Sequence, residues 1–416
     1  MRPHAIERQA QEAIDVVRTV QSAVASGQAA DQALNALFRS RRQYGSRDRR
    51  LFAGLVFAWF RWKGWVEHLP DLPQALAAAA WLDDIGNADL LHRWWSALAP
   101  IARPSSIPEQ GRILSELSAG RIHPALQSLV PAWFEDEWDA AESRASLADF
   151  VESIQRRPPL WLRSRAGSLD TVLAALHRAD VPAEADARLP GLIRVDDAPS
   201  RDVLAPLLHR HAEIQDIASQ CVGLLCAPKP GEHCWDLCAG AGGKSLHLLD
   251  QLKESGHVLC TDVRAEALDE LTHRAGKAGF RNWTARLIPT EPSDWKIEST
   301  FDAILLDAPC TGTGTWGRAP DARWRSSQEE CRAQAARQLH LLRQALRHLK
   351  PGGRLLYSVC SLTRSETQGV LAALAHEAAF HVNPRHHPLT HTTSDSCRIL
   401  PIDGPGIGMW CVEIEQ

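Results

Sequence analysis

The stretch Gly231-Glu-His-Cys-Trp-Asp-Leu-Cys-Ala-Gly-Ala-Gly-Gly-Lys-Ser245 carries residue types suited to holding a nucleotide. A turn signal, Ala227-Pro-Lys-Pro-Gly231, precedes it and a helical run, Leu246 to Leu252, follows, so the glycines fall where a strand hands over to a helix. Gly240, Gly242 and Gly243 let the backbone turn tightly and approach a ligand, while the free amides of the next helix favour a carboxylate or phosphate. The following strand, His257-Val-Leu-Cys-Thr-Asp262, ends in an acid roughly 20 residues on, a spacing suited to ribose hydroxyls. The G-x-G-x-x-G order is absent, so the glycine cluster alone leaves an NAD-dependent oxidoreductase open as one reading.

Thiols narrow the choice. All 10 cysteines lie from Cys221 onward, and none of their spacings forms paired C-x-x-C sets, so no metal site is expected. Cys221, Cys226, Cys234, Cys260, Cys331, Cys397 and Cys411 read as small buried side chains in a reducing compartment. Cys310 ends the apolar run Phe301-Asp-Ala-Ile-Leu-Leu-Asp307-Ala-Pro-Cys310, and Cys360 ends Gly353-Arg-Leu-Leu-Tyr-Ser-Val-Cys360. Both fall at carboxyl ends of strands, where open parallel sheets bind ligands. An oxidoreductase reading leaves these two thiols unexplained.

In chain order, Asp-Leu-Cys-Ala-Gly-Ala-Gly-Gly-Lys, Asp-Ala-Pro-Cys and Tyr-Ser-Val-Cys-Ser resemble the Sun/RsmB family of RNA (cytosine-5) methyltransferases. The resemblance implies S-adenosylmethionine held by Cys238, Ala239, Gly240, Ala241, Gly242, Gly243 and Lys244, with Asp262 on the ribose and Asp307 between donor and target base. It implies further that Cys360 is the nucleophile and that Cys310 assists product release; spacing alone assigns neither role. Carbon 5 of a pyrimidine is a poor nucleophile until a thiolate adds to carbon 6, and the thiolate must later be eliminated, so two thiols suit the reaction. A free thiol has a pKa of roughly 8.5, and Lys244, Arg318 or a helix N-terminus could help to ionise it. Structural roles compete at each acid: Asp262 could cap the helix beginning near Arg264, and Asp307 could cap its own strand. Lys244 could be a solvated first-turn lysine.

Between the cysteine motifs, Gly312 to Arg325 is rich in glycine and arginine. Arg318, Arg323 and Arg325 are expected to contact RNA, with Trp316 or Trp324 free to stack on a base, although Trp324 serves equally well as an anchor for the next helix. A target base must leave its stack to meet Cys360, so single-stranded or loop RNA is the expected substrate. The chain departs from the family at Ala241, Val359 and Thr367, in the approach to its last strand from Gly404 to Trp410, and near Ile288, where the usual acid is missing and Glu291 is out of register. Weaker cofactor affinity or a divergent substrate is the expectation from these departures.

A chain of 416 residues suggests two or three domains to position these groups. Apolar residues at helical spacing over 5–24, 30–38, 50–66 and 72–81 predict an all-α beginning. Eight basic residues between Arg39 and Lys63, among them Arg47, Arg49, Arg50 and Arg61, are expected to hold RNA phosphates or to form a solvated helix face, and they interleave with six aromatics, most of which read as core. Ser46-Arg-Asp-Arg-Arg-Leu-Phe resembles the NusB-type RNA-binding domain found in this family. The predicted organisation is a helical NusB-like domain with extension over 1–130, a connector and small α+β module over 131–205, and a Rossmann-like methyltransferase domain over 206–416. In the module, strands at 160–163 and 192–195 flank a helix at 168–179, and His211 to Gln220 is expected to form a helix beside the cofactor. Strands near 232–237, 257–262, 283–288, 302–307, 353–358 and 408–414 alternate with helices, as in a doubly wound sheet.

Composition sets the outer limits. With 44% hydrophobic and 23% charged residues the chain reads as globular, and its net charge of -4 means that RNA contacts come from local patches. No apolar run reaches a membrane span and the polar start is no signal peptide, so a cytoplasmic monomer is expected. Ribosomal RNA of the small subunit is the expected substrate, transfer RNA the alternative, and a non-catalytic RNA-binding protein the third reading.

Overall fold

A computed structural model describes residues 3–85, 87–196 and 199–416; Met1 and Arg2, part of the polar start, lie outside the described residues. The chain divides into two units, Met1–Arg157 with Thr315–Ser327, and Pro158–Gly314 with Gln328–Gln416. A helical unit therefore reaches Arg157 and takes in 13 residues from the loop between the two cysteine motifs.

Helices Pro3–Ala25, Ala30–Ser40, Ser46–Val66 and Leu72–Leu82 open the helical unit where the apolar spacing predicts them. Ser46–Val66 is its axis, burying Phe52, Leu55, Val56, Trp59, Phe60, Trp62 and Trp65, so these aromatics are core, as expected for most of that stretch. Gly64 allows the close approach of Ser128, because a Cβ there would come within 1.7 Å of the Ser128 carbonyl oxygen. Arg61 is not a phosphate ligand. Its guanidinium is buried, paired with Asp83, and donates to the Gly317 carbonyl at 3.0 Å.

The loop residues 315–327 complete this core and correct two expectations. Trp316 is fully buried with its ring 4.6 Å from that of Phe134, so it is closed to base stacking. Arg323 is also fully buried and donates to the carbonyls of Leu129 at 2.8 Å and Trp316 at 3.2 Å. Burial and the neighbouring Arg61 pull the Arg323 guanidinium down to about 9, and a side chain so enclosed cannot meet a phosphate. Trp324 is an anchor, but to the helix Ser46–Val66 and not to the one that follows it, its indole donating to the Phe60 carbonyl at 2.7 Å. Arg318 and Arg325 are exposed, Arg325 at 3.2 Å from Asp321. Arg47 and Arg50 face solvent, while Arg49 is half-buried and holds the Tyr44 carbonyl at 2.9 Å.

Besides the two-stranded pair of Arg385–His386 with Thr393–Ser394, the described residues of the second unit form two larger sheets. The smaller is antiparallel, in the order Ala183–Asp186, Leu192–Val195, Leu160–Ser164, Ala212–Ile214, with the helix Leu169–Arg178 packed on it through Val172 and Leu176. Residues 212–214 thus form a strand where the sequence suggests a helix; the helix begins only at Ile217, capped by the Asp216 side chain.

The larger sheet follows the order His381–Asn383, Met409–Glu415, Leu349–Val359, Phe301–Asp307, His233–Asp236, His257–Asp262, Trp283–Leu287, with Ser396–Ile399 paired to Met409–Glu415. Strands Leu349–Val359 to Trp283–Leu287 are parallel. Side chains alternate between two cores: Cys234, Ala303 and Leu305 enter one, and Trp235, Ile304 and Leu306 the other. Helices Ile217–Cys226, Gly243–Leu252 and Ala265–Ala278 pack on the first core, and Gln328–Arg347 and Gln368–Ala375 on the second. The chain order reverses between His233–Asp236 and Phe301–Asp307, the place in such sheets where a ligand crevice opens.

Asp236, at the end of the central strand, is buried with one oxygen 2.6 Å from the Ser245 hydroxyl and the other without a partner. Burial pushes this carboxyl up to about 7, against the opposing hydrogen bond from Ser245. Because the folded carboxyl holds its proton above the unfolded value of 3.8, its contribution to stability is complete below about pH 4 and fades as pH rises to about 7. Asp236→Asn should therefore gain stability relative to the parent across that window, by a few kcal/mol in denaturant titrations at successive pH values; a flat difference would contradict this. In the helical unit, Arg323→Ala strips donors from two buried carbonyls and should cost about 2–4 kcal/mol in the same titrations, whereas an unchanged midpoint would show that the loop is not part of that core.

Candidate active site

The site is assembled at the carboxyl ends of three adjacent parallel strands, His257–Asp262, His233–Asp236 and Phe301–Asp307, and of Leu349–Val359 beside them. After Asp236 the chain turns through Gly240 and Gly242, whose φ values of +53° and +85° are left-handed. Gly242 has a second constraint, since a Cβ there would lie 2.7 Å from Leu271 Cγ. The helix Gly243–Leu252 starts directly from this turn, and a Cβ on Gly243 would meet nothing within 4 Å. A turn with an open front and the N-terminus of a ten-residue helix behind it is a cradle for an anionic group.

Asp262 closes one side of the turn. Its Oδ2 accepts the Gly240 N–H at 2.8 Å and its Oδ1 the Arg264 N–H at 2.9 Å. Burial works against its charge, but the bonds from Arg264 and Gly240 prevail and hold it below the usual carboxylate range. Asp262 is not the helix cap considered from sequence, because Ala265–Ala278 has Arg264 at its N-cap and no side-chain cap; the carboxylate braces the turn before that helix and stands beside the glycine turn. The neighbouring Val263 is apolar yet 38% exposed. Ile288 is buried, and its N–H donates to the Asp262 carbonyl at 3.1 Å, so this position supplies an apolar wall and no acid. Cys238 is partly exposed within the loop, its thiol pushed up by burial and by Asp236.

Lys244 is neither solvated nor free. Its Nζ lies 2.6 Å from Asp307 Oδ2, and the other Asp307 oxygen accepts the Ser358 hydroxyl at 2.9 Å. Burial pulls the Lys244 ammonium down, but the Asp307 charge more than offsets this and leaves it above the ordinary lysine value. Asp307 is therefore an oriented carboxylate with 28% of its side chain accessible. Ser358 was not singled out from sequence, although it sits inside the Tyr-Ser-Val-Cys motif.

The two thiols expected to work together are brought together. Cys310 Sγ and Cys360 Sγ are 3.3 Å apart, hydrogen-bonded, and both partly exposed. The bond to Cys360 and burial hold the Cys310 thiol well above its ordinary value. Backbone bonds stitch their loops: Gly314 N–H donates to the Cys360 carbonyl at 2.9 Å, and Leu362 N–H to the Thr313 hydroxyl at 2.8 Å. A Cβ on Gly314 would come within 2.1 Å of the Gly408 carbonyl oxygen, so the crossing requires glycine. Sequence reasoning also missed Glu366, a buried carboxylate hydrogen-bonded to both loops. No group of three or more metal-binding side chains occurs among the described residues, and no described helix is long and apolar enough to cross a membrane.

Known proteins resemble this chain. Residues 223–411 match the family described as 16S rRNA methyltransferase RsmB/F. The ribosomal RNA small subunit methyltransferase B of Sodalis glossinidius is 31% identical over 287 residues, which cover 68% of this chain and 65% of the relative's length. Its counterpart in Cronobacter sakazakii is 34% identical over 277 residues, covering 64% of this chain and 61% of that protein. Among solved structures, a methyltransferase homolog protein from Pyrococcus horikoshii shares the fold at a TM-score of 0.57 and 23% identity, over 69% of this chain and 95% of its own. The thiol pair and the glycine turn both lie inside the matched segment, and through residues 223–411 the chain belongs to the RsmB/F family of methyltransferases.

Proposed function

We propose that this chain is an S-adenosylmethionine-dependent methyltransferase that modifies carbon 5 of a cytosine in small-subunit ribosomal RNA through a covalent bond to Cys360. The observation that carries the reading is the 3.3 Å approach of Cys310 and Cys360 at the strand ends, beside the Lys244–Asp307 pair. The relatives named ribosomal RNA small subunit methyltransferase B support the RNA substrate. The oxidoreductase alternative leaves two adjacent thiols without work.

The residues present suit the cofactor. The open glycine turn offers backbone amides, Asp262 an ionised acceptor at the second strand's end, and Val263 with Ile288 an apolar surface. These residues, with Cys238 to Lys244, would hold S-adenosylmethionine, which supplies an electrophilic methyl group on a sulfonium centre. Ile288 fills the missing acid's place with an apolar surface suited to a purine face, which favours retained binding over loss of activity.

Chemistry then falls to the chain's own side chains. The sulfur of Cys360 adds to carbon 6 of the cytosine, and the electron pair displaced toward carbon 5 makes that carbon nucleophilic enough to accept a methyl group. Solvent then takes the carbon 5 proton, the C–H electron pair restores the double bond, and Cys360 leaves as a thiolate that the Cys310 thiol can reprotonate. The Cys310 thiol, held well above its ordinary value by the bond to Cys360 and by burial, shares with Cys360 Sγ a hydrogen bond in which either sulfur can donate, and its proton is at hand when the adduct is resolved. Asp307, fixed by Lys244 and Ser358, presents a carboxylate to the amino edge of the base. The helical unit is read as a NusB-type RNA-binding domain, with exposed Arg47, Arg50, Arg318 and Arg325 as its phosphate contacts.

Tritiated methyl transfer to ribosomal and transfer RNA fractions tests the reading. The intact chain should form 5-methylcytosine in ribosomal RNA. Cys360→Ala should lower the rate at least about a thousandfold, and Cys310→Ala should accumulate a protein–RNA adduct that resists denaturation. Label confined to transfer RNA would move the substrate. An intact chain that binds S-adenosylmethionine in calorimetry yet labels neither fraction would overturn the rRNA assignment; one that binds no cofactor would favour a non-catalytic RNA-binding role.

A further inference from the structure

Glu366 is fully buried and its hydrogen-bond partners are all neutral. Five donors converge on it: the Thr311 N–H at 2.9 Å and the Gln338 amide at 3.0 Å on Oε1, and the hydroxyls of Ser361 at 2.6 Å, Thr363 at 3.0 Å and Thr311 on Oε2. Thr311 directly follows Cys310, and Ser361 directly follows Cys360. One carboxylate thus grips the residue next to each thiol, from segments 50 positions apart in the chain.

A second tier fixes the carboxylate itself. Tyr357, on the strand leading to Cys360, donates its hydroxyl to Gln338 Oε1 at 3.0 Å and to the Glu366 carbonyl at 2.8 Å. Gln338 also donates to the Pro309 carbonyl at 2.9 Å, one residue before Cys310. Burying a carboxylate without a cation is costly, and an apolar side chain of that volume would be easier to accommodate. Five donors aimed at this one carboxyl group offset that cost, and bonds to an ionised acceptor are shorter and stronger than those between neutral groups. Every one of the five bonds reaches a loop that carries a thiol or the helix between them.

We propose that Glu366 is a positioning residue of the methyl-transfer reaction, holding the Cys310 and Cys360 loops at the separation in which one sulfur attacks while the other assists. This rests on the reading of those thiols as the reacting pair. Its negative charge acts in the same direction as the geometry, because it adds to the effect of Cys360 and burial in keeping Cys310 protonated. Glu366 does not touch the base; it acts through Thr311 and Ser361.

The test uses the full chain and two independent readouts. Diamide takes two electrons and two protons from a pair of close thiols to make a disulfide, and mass spectrometry of the peptides containing Cys310 and Cys360 follows that closure without RNA or cofactor. In Glu366→Ala, closure should slow by at least about tenfold, and kcat should fall about a hundredfold while KM for RNA and Kd for S-adenosylmethionine stay close to the parent values, since a displacement of about 1 Å is enough for such a loss. Glu366→Gln keeps the shape and one acceptor oxygen and should fall between. If Glu366→Ala does not fold, Glu366→Gln and Ser361→Ala carry the same readouts. Closure or kcat at the parent level in a folded variant overturns the proposal. A parent chain that transfers no methyl group sinks the functional reading instead, and the closure rates alone then decide whether Glu366 sets the thiol separation.

Discussion

The arrangement of the site depends on a carboxylate that has no cation. Glu366 draws its donors from Thr311, Gln338, Ser361 and Thr363, so the loop after one strand and the loop after its neighbour are bound to a common point. The strands supply direction and the carboxylate supplies distance. Parallel pairing of Phe301–Asp307 with Leu349–Val359 brings both chain ends to the same edge of the sheet, yet strand spacing alone leaves a thiol on each loop free to point elsewhere. Removal of one donor leaves four; removal of the acceptor leaves several buried groups unsatisfied at once, which is why the acid has more leverage than any single hydroxyl.

The three neighbouring aspartates have separate tasks, set by their partners. Asp262 is spent on backbone N–H groups of the glycine turn and the following turn, and so shapes the cradle. Asp307 is balanced by Lys244 and Ser358 and remains partly open to a ligand. Asp236, lying behind them with only a hydroxyl for company, keeps its proton to about neutral pH, and this limits the negative charge crowded around one pair of strands.

Much of this was legible in the sequence because it rests on local signals. Short continuous apolar runs located the strands before Cys310 and Cys360, and glycines with turn residues located the loop after Asp236. The three-residue strand Ala212–Ile214 was not legible, since its only support is pairing with Leu160–Ser164, some 50 positions away. Arg323 and Trp316 were misread for a similar reason: an arginine in a polar loop normally faces water, and only the carbonyls of Leu129 and Trp316 and the rings of Phe134 and Trp133 draw these two inward. The role of Glu366 was not legible either, because its donors Thr311 and Gln338 lie 55 and 28 positions away. Residue type and spacing reveal who is present at a site, while a shared buried acceptor becomes visible only in three dimensions.

The central claim is that the sulfur of Cys360 bonds to the base. RNA carrying 5-fluorocytosine cannot lose a proton from carbon 5 after methyl transfer, so the adduct persists. Peptide mapping by mass spectrometry after incubation with such RNA and S-adenosylmethionine reads the attachment point directly. The account predicts a modified peptide bearing the nucleotide on Cys360, with Cys310 unmodified. Attachment at Cys310, or turnover of ordinary RNA with no trapped peptide from its fluorinated counterpart, would contradict it.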